Sequence, residues 1–350
     1  MCLAEHADPG QLALATPRHA PGEAVDPIAL APVDSVSITT LVDNVYDGLL
    51  TDDARTRRAS ISATSTPASQ FLGGATVLGM RAEHGYSTLI TVTRGDHTWR
   101  LIFDTGLSPD AMLDNARRLD LDLRDAQAVV MSHGHFDHAG GLAGLARAYG
   151  RHGIPLTIHP FAWTRRRFAI PGSEWELPTL SPTALAAEGF ALIERRVPSL
   201  LLDDSVLVTG EVDRVTDFEL GMPSVHQAWD GASWVPDRVV PDDQALVVNV
   251  RGKGLVIVTG CGHAGVVNIV RHAMRLTGVS QLAGMIGGFH LAGPAFEPII
   301  DPTVSALRDF APELLLPGHC TGWRAQHALA AALPDAFVAG SSGSTYTIAA

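Results

Sequence analysis

Cysteine is scarce in this chain: Cys2, Cys261 and Cys320 are the only three in 350 residues. An odd, small number supplies no disulfide framework, and a chain this long needs no covalent staples to hold a core. A reducing compartment is the expectation. Basic charge is also in short supply, with 25 Lys and Arg against 37 Asp and Glu and a formal net charge of −12. Affinity for nucleic acid comes largely from Lys and Arg on phosphates, so no nucleic-acid partner is expected. No stretch approaches ~18 uninterrupted apolar residues, so no membrane association by a spanning helix is expected either. The first residues, "MCLAEHADPGQLALATPRHAPGEA", lack a basic region followed by a continuous apolar one and do not read as a signal peptide. The cytoplasm is the resulting expectation.

What is present is globular in character, with 46% hydrophobic and 18% charged residues. Residues 1–34 are rich in Pro and Ala without a sustained period and read as an N-terminal extension. From there "SVSITTLV" alternates as a strand and ends at Asp43-Asn44, and residues 51–70 read as polar loop. "STLITVTRGDHTWRLIFDTG" is a hairpin joined at Gly95-Asp96. A helix is predicted near 108–119, a short strand at Ala128–Met131, a helix carrying Leu142, Leu145 and Tyr149, and the strand "IPLTIH". Residues 160–240 form an irregular insertion holding Trp163, Trp175, Trp229 and Trp234, which either pin loops to the body or build a lid over a pocket. A second hairpin, "QALVVNVRGKGLVIVTG", then leads into alternating helices and strands: helix near 264–277, strand "LAGMIGG", helix near 302–310, strand "ELLLPG", helix near 322–332 and a final strand "TYTIAA". Two such halves predict an α/β fold, a four-layer αββα sandwich spanning 35–350.

The chemistry concentrates in "SHGHFDHAGG". His133, His135, Asp137 and His138 fall between an apolar strand and a helix, at a strand's C-terminal edge, where α/β folds place ligands. Imidazole nitrogens and a carboxylate oxygen suit Zn²⁺ and related first-row metals. Gly134 lets the backbone turn tightly, and the adjacency of Asp137 and His138 aims them apart, toward a second metal. Three later histidines follow an apolar run and a glycine: His263 in "VIVTGCGHAG", His290 in "MIGGFHLAG" and His319 in "LLLPGHCTG". Asp104 in "LIFDTG" is expected to accept the spare N–H of a metal-bound imidazole. Cys261 and Cys320 read as small buried residues. His84 and His159 are placed near the pocket. His6, His19, His97, His152, His226, His272 and His327 are read as solvent-facing or structural. "GSSGS" at 340–344 lacks the Lys and helix of a phosphate loop and reads as a turn.

The set H-x-H-x-D-H, with "FDTG" upstream and isolated His motifs downstream, resembles the metallo-β-lactamase superfamily over roughly residues 36–350. "LVDN", "HGYS", "GEVDRVTDFE", "TGCGHAGVVN", "IGGFHL" and "PGHCTGW" are similar to a branch related to 7,8-dihydropterin-6-methyl-4-(β-D-ribofuranosyl)aminobenzene-5′-phosphate synthase. The resemblance implies two divalent metal ions, zinc first with manganese or iron as alternatives. It implies one metal on His133, His135 and His263 and the other on Asp137, His138 and His319. Many hydrolytic members carry an aspartate bridging both metals; here that region reads "GGFH", with no Asp until Asp301.

The leading expectation is a metal-dependent hydrolase using a metal-bound hydroxide on a small ester, lactone or phosphate-containing molecule. Asp137 would orient the nucleophile and His290 would protonate the leaving group. Asp43, Asn44, His84 and Tyr86 are candidate substrate contacts or loop hydrogen-bonding residues, and Arg165-Arg166-Arg167 reads either as a solvated surface run or as a receiver of an anionic substrate. The alternatives are a transferase in pterin-type cofactor biosynthesis, an iron-dependent redox enzyme and a non-catalytic metal-binding sensor. The sequence is compatible with a homo-oligomer without indicating one.

Overall fold

The computed structural model describes residues 26–150 and 153–350. Cys2, His6, His19 and His152, with most of the expected extension, lie outside the described residues. Residues 28–33 are built into the body: the Ile28 N–H donates to Leu276 O at 2.7 Å, Leu30 is buried, and Val33 forms a parallel bridge with Val250.

Two sheets make the frame. The first runs, in spatial order, Phe190–Glu194, Ile154–Ile158, Ala128–Val130, His97–Phe103, Ser87–Arg94, Ser35–Val42, Thr345–Ala349 and Thr56–Arg57. Its first four strands are mutually parallel and the rest pair antiparallel. The second runs Ser199–Leu201, Val206–Val208, Ala245–Val250, Gly254–Thr259, Leu282–Gly288 and Leu314–Gly318, with its last three strands parallel. The predicted hairpins occupy the expected places, Arg94 facing His97 across Gly95 at φ +57° and Val250 facing Gly254.

Period-2 alternation assigns each strand's side chains to two separate cores. In His97–Phe103, Leu101 and Phe103 enter the space between the sheets, while Ile102 points outward against Met112 and Leu145. The inter-sheet core adds Ile38, Ile90, Val208, Val248, Val258 and Ile286. On the far side of the second sheet, Val247, Ile257 and Met285 pack against the helices Val266–Thr277, Ile300–Phe310 and Trp323–Ala332. The layers are therefore helix, sheet, sheet, helix.

Val266–Thr277 shows why a helix forms where it does. Val267, Val270 and Ala273 recur at helical spacing and are buried. Both Glu219 oxygens cap its first turn, accepting the Val267 and Asn268 N–H groups at 2.8 Å each. Gly278 ends it in the left-handed conformation at φ +69°.

The segment 160–240, expected to be irregular, contains a four-stranded antiparallel sheet in the order Ser173–Glu176, Arg166–Ile170, His226–Trp229, Trp234–Pro236. Its strands are short and largely half-exposed, so they carry little of the apolar alternation that makes a strand legible. Trp229 packs edge-to-face on Trp234, and the Arg165 and Arg167 guanidiniums lie over Trp234. Residues 51–70, expected as loop, contribute the short strands Thr56–Arg57 and Ser65–Pro67.

Candidate metal centre

Every histidine of the main motif follows the end of a parallel strand. Strand Ala128–Val130 runs into Met131 and Ser132, and the chain then places His133 and His135 before the short helix Phe136–Ala139, which carries Asp137 and His138. Gly134 is required less by its own flexibility than by a neighbour: a Cβ there would lie 2.3 Å from Ala162 O. From the facing sheet, His263 follows Gly254–Thr259, His290 follows Leu282–Gly288 and His319 follows Leu314–Gly318. Asp104, His290 and His319 hold positive φ of 58°, 46° and 46°. Such strained backbone persists where the surroundings over-determine it, and it clusters at functional sites.

Three imidazole nitrogens converge. His133 Nε2 lies 2.9 Å from His135 Nδ1, and His263 Nε2 lies 3.2 Å from the first and 3.1 Å from the second. Tetrahedral ligands on a zinc ion are separated by about 3.3 Å, given Zn–N bonds of about 2.0–2.1 Å. Burial first, and neighbouring imidazoles next, hold all three rings well below the usual imidazole range, so they are neutral and offer lone pairs. This donor set fits a divalent cation.

A second donor group adjoins it, made of Asp137, His138, Cys261 and His319, with its donor atoms all within 4.8 Å of one another. Asp137 Oδ2 lies 3.4 Å from His319 Nε2 and 3.7 Å from His138 Nε2. Burial works against the Asp137 charge, but His138 and His319 outweigh it and hold the carboxyl well below the usual range. Burial likewise opposes a charge on His138, yet Asp137 and Asp104 push that ring up to about 9.

The supporting contacts are dense. Asp104 Oδ2 accepts from His138 Nδ1 and from Ser132 Oγ, both at 2.7 Å, while Oδ1 accepts from the Ser132 N–H at 2.7 Å. Ser132 Oγ in turn lies 2.8 Å from His133 Nδ1, so one buried carboxylate orients rings in both groups. The Arg214 guanidinium donates to His263 O at 3.1 Å, and Asp243 accepts from the Ala264 N–H at 2.9 Å.

Of the four expected substrate contacts, Asn44 and His84 are exposed, and His84 Nε2 lies 3.8 Å from Asp137 Oδ2. Asp43 requires correction. It is buried, with Oδ1 accepting from the His319 and Asn44 N–H groups at 2.8 and 2.6 Å, so it shapes the His319 turn and has no face to offer a substrate. Asn44 donates to His319 O at 3.0 Å and serves the same turn. Tyr86 is also corrected, being buried with its ring 6.0 Å from that of His319. The basic run is not a free cationic patch: Arg165 pairs with Glu176, Arg167 with Glu174, and buried Arg166 with Asp237 and Asp242. His159 is buried and faces Glu211 at 3.4 Å.

His226, expected to be solvent-facing or structural, is buried against the first donor group. Its Nδ1–H donates to Asp237 O at 3.1 Å, which leaves Nε2 as an acceptor 3.3 Å from His135 Nε2. That contact sets the His135 Nε2 as the protonated nitrogen and its Nδ1 as the free one. A histidine in a weak edge strand carries no sequence signal of this role. Cys261, read as a small buried residue, has its Sγ 3.2 Å from His138 Nε2. The His290 ring lies tilted 4.3 Å from the His263 ring and edge-to-face 4.6 Å from Phe296, on the wall of a cavity of about 160 Å³ that Phe218, Phe289, Leu291 and Ile299 also line.

Comparison with known proteins agrees with this geometry. The family model described as "Metallo-beta-lactamase superfamily" matches residues 80–272. A 7,8-dihydropterin-6-methyl-4-(β-D-ribofuranosyl)-aminobenzene-5′-phosphate synthase of Methanocaldococcus jannaschii is 30% identical over 257 residues, covering 70% of this chain and 83% of that protein. An uncharacterised protein of the same organism is 29% identical over 252 residues, covering 70% and 86%. A crystal structure described as a metal-dependent hydrolase of the β-lactamase superfamily superposes with a TM-score of 0.67 at 22% identity, over 90% of this chain and 100% of the other. The αββα layering, the donor groups at the strand ends and the matched family model together place this chain in the metallo-β-lactamase superfamily.

Proposed function

We propose that this protein is a metal-dependent hydrolase of a small ester, lactone or phosphate-containing molecule, with His133, His135 and His263 holding one divalent ion and Asp137, His138 and His319 the other. The observation that carries the reading is the convergence of three neutral, buried imidazole nitrogens within 3.2 Å of one another beside a second donor group. When bound, divalent ions supply Lewis-acid polarisation and a water acidic enough to ionise near neutral pH; zinc suits the donors, with manganese or iron as alternatives.

The residues around the donors supply the rest. Asp104 holds the His138 ring, and through Ser132 the His133 ring, at fixed tautomers. Asp137 stays ionised and orients the attacking water. His290, at the cavity wall, is placed to hand a proton to the leaving group. The apolar lining of that cavity favours an uncharged substituent on the substrate, and His84 reaches the rim from the other side.

The test is turnover of chromogenic esters, lactones and phosphodiesters by the zinc- or manganese-loaded chain. Hydrolysis that disappears in a folded His133→Ala variant is expected. Stoichiometric metal with no turnover of any class would sink the hydrolase reading in favour of a sensor. A second reading, a transferase in pterin-type biosynthesis, draws support from the 30% identical synthase. A product assay with a pterin diphosphate separates the two. Iron on purification together with oxygen-dependent turnover would favour redox chemistry instead.

A further inference from the structure

A sulfur, Cys261 Sγ, stands among the donor atoms of both groups, whose one carboxylate is Asp137. We propose that Cys261 is a thiolate ligand shared between the two metal positions, in the role the absent bridging aspartate would have filled. The inference rests on the two-metal reading above.

Four observations carry it. Cys261 Sγ belongs to all three groups of clustered donors: with Asp137, His138 and His319; with His133 and His263; and with His290 and Cys320. No other side chain is common to the first two. The thiol is buried and lies 3.2 Å from His138 Nε2, the nitrogen left over once His138 Nδ1 has paired with Asp104. His319 Nε2 is buried and makes no hydrogen bond, although it faces the same group. Asp137 is the sole carboxylate in these groups, and Asp301, next after "GGFH", is exposed on the helix Ile300–Phe310. The backbone fixes the sulfur there: a Cβ at Gly260 would lie 2.1 Å from Ser132 Oγ, so the strand end abuts the Asp104–Ser132 network directly. Cys320 is a different case, its Sγ–H donating to Cys261 O at 3.3 Å.

Binding forms a sulfur–metal bond, breaks the S–H bond and releases one proton to solvent, with no change of oxidation state. Thiolate in a His and Asp donor set selects zinc, cobalt or iron over magnesium or calcium.

The experiment uses the full chain, stripped by chelation and titrated with Co²⁺, with metal counted by mass spectrometry and the near-ultraviolet spectrum recorded. Two equivalents and a sulfur-to-cobalt charge-transfer band are expected. The band should vanish in Cys261→Ala and persist in Cys320→Ser. Cys261→Ala should also weaken one equivalent by more than the ~10–100-fold that losing an outer hydrogen-bond partner costs. Cys261→Asp, which restores a carboxylate, should keep two equivalents without the band, so a folding failure of the alanine variant does not decide the matter. Two bound cobalt ions with no band, or a band that survives in Cys261→Asp, overturns the thiolate while leaving the metal centre intact. Failure of the parent chain to bind any metal overturns both.

Discussion

A single carboxylate, Asp104, organises two rings that belong to different donor groups. Its effect is mostly about orientation, since a buried imidazole that loses its partner is free to flip or to change tautomer. Asp104→Asn keeps the size but presents a donor to one of three groups that now donate. Metal affinity measured by chelator competition is expected to fall about 10–100-fold with the circular dichroism spectrum preserved. Unchanged affinity would mean Asp104 is only a turn residue. His226 makes a parallel prediction. His226→Phe removes the acceptor facing His135 Nε2, and affinity for the first ion is expected to drop about tenfold or more, with His226→Gln restoring part of it. Equal affinities in all three proteins would remove the assigned role. Asp104 was legible because it ends a strand just upstream of the motif, in "FDTG". His226 was not, because nothing local distinguishes it from any other histidine in a short strand.

At the scale of elements, the inserted four-stranded sheet is tied to the metal loop by a buried ion network. Arg166 on the strand Arg166–Ile170 pairs with Asp237 at 2.8 Å and with Asp242, and Asp242 Oδ2 accepts the Gly134 N–H at 2.8 Å. Trp175 packs edge-to-face on Phe136, inside the motif itself. Arg166→Met strands two buried carboxylates, and removing one partner of a buried pair costs about 3–5 kcal/mol. A lowered midpoint in urea is expected, together with weaker binding of the first ion, because the Gly134 turn loses its anchor. A variant as stable as the parent would show that the network is dispensable. The sequence presents "TRRRF" as a surface run of charge; burial of the middle arginine depends on Asp237 and Asp242, seventy residues onward, and cannot be read locally.

The molecule as a whole places its donors on both sheets, so each ion is expected to cross-link the two halves of the sandwich. Without metal, the donors carry a pH liability whose sign follows from their shifts. Burial first and mutual repulsion next depress His133, His135 and His263, and burial pushes His272 down to about 4. In the unfolded chain these groups titrate near ~6.5, so below that pH the unfolded state binds more protons and stability is lost. His138 opposes this: raised to about 9, its contribution is complete below ~6.5 and is lost as pH rises through about 9. Asp243, which burial pushes up to about 6, also favours the folded state on the acid side, losing its contribution between ~4 and about 6. Burial also lowers His226 and raises Asp43 and Glu219; the five depressed rings outweigh the raised groups, so the melting temperature of the metal-free protein is expected to fall between pH 7 and pH 5. A flat or rising melting temperature over that interval would contradict the burial of neutral rings.

Short-range pattern alone determined the layers and the main motif. Alternation of apolar residues in "STLITVTRG" and "LVVNVRGKGLVIVTG" specifies which face of each strand is buried, and H-x-H-x-D-H compresses four donors into one loop. His263 and His319 were legible because each repeats the same local context, an apolar strand ending in glycine. The tertiary structure alone decided the partners of those donors. That Asp43 holds the His319 turn, that His226 reaches His135, and that Cys261 lies among all the donor groups are facts about segments far apart in the chain. They depend on how two sheets register face to face, and packing sets that register, which no window of sequence contains.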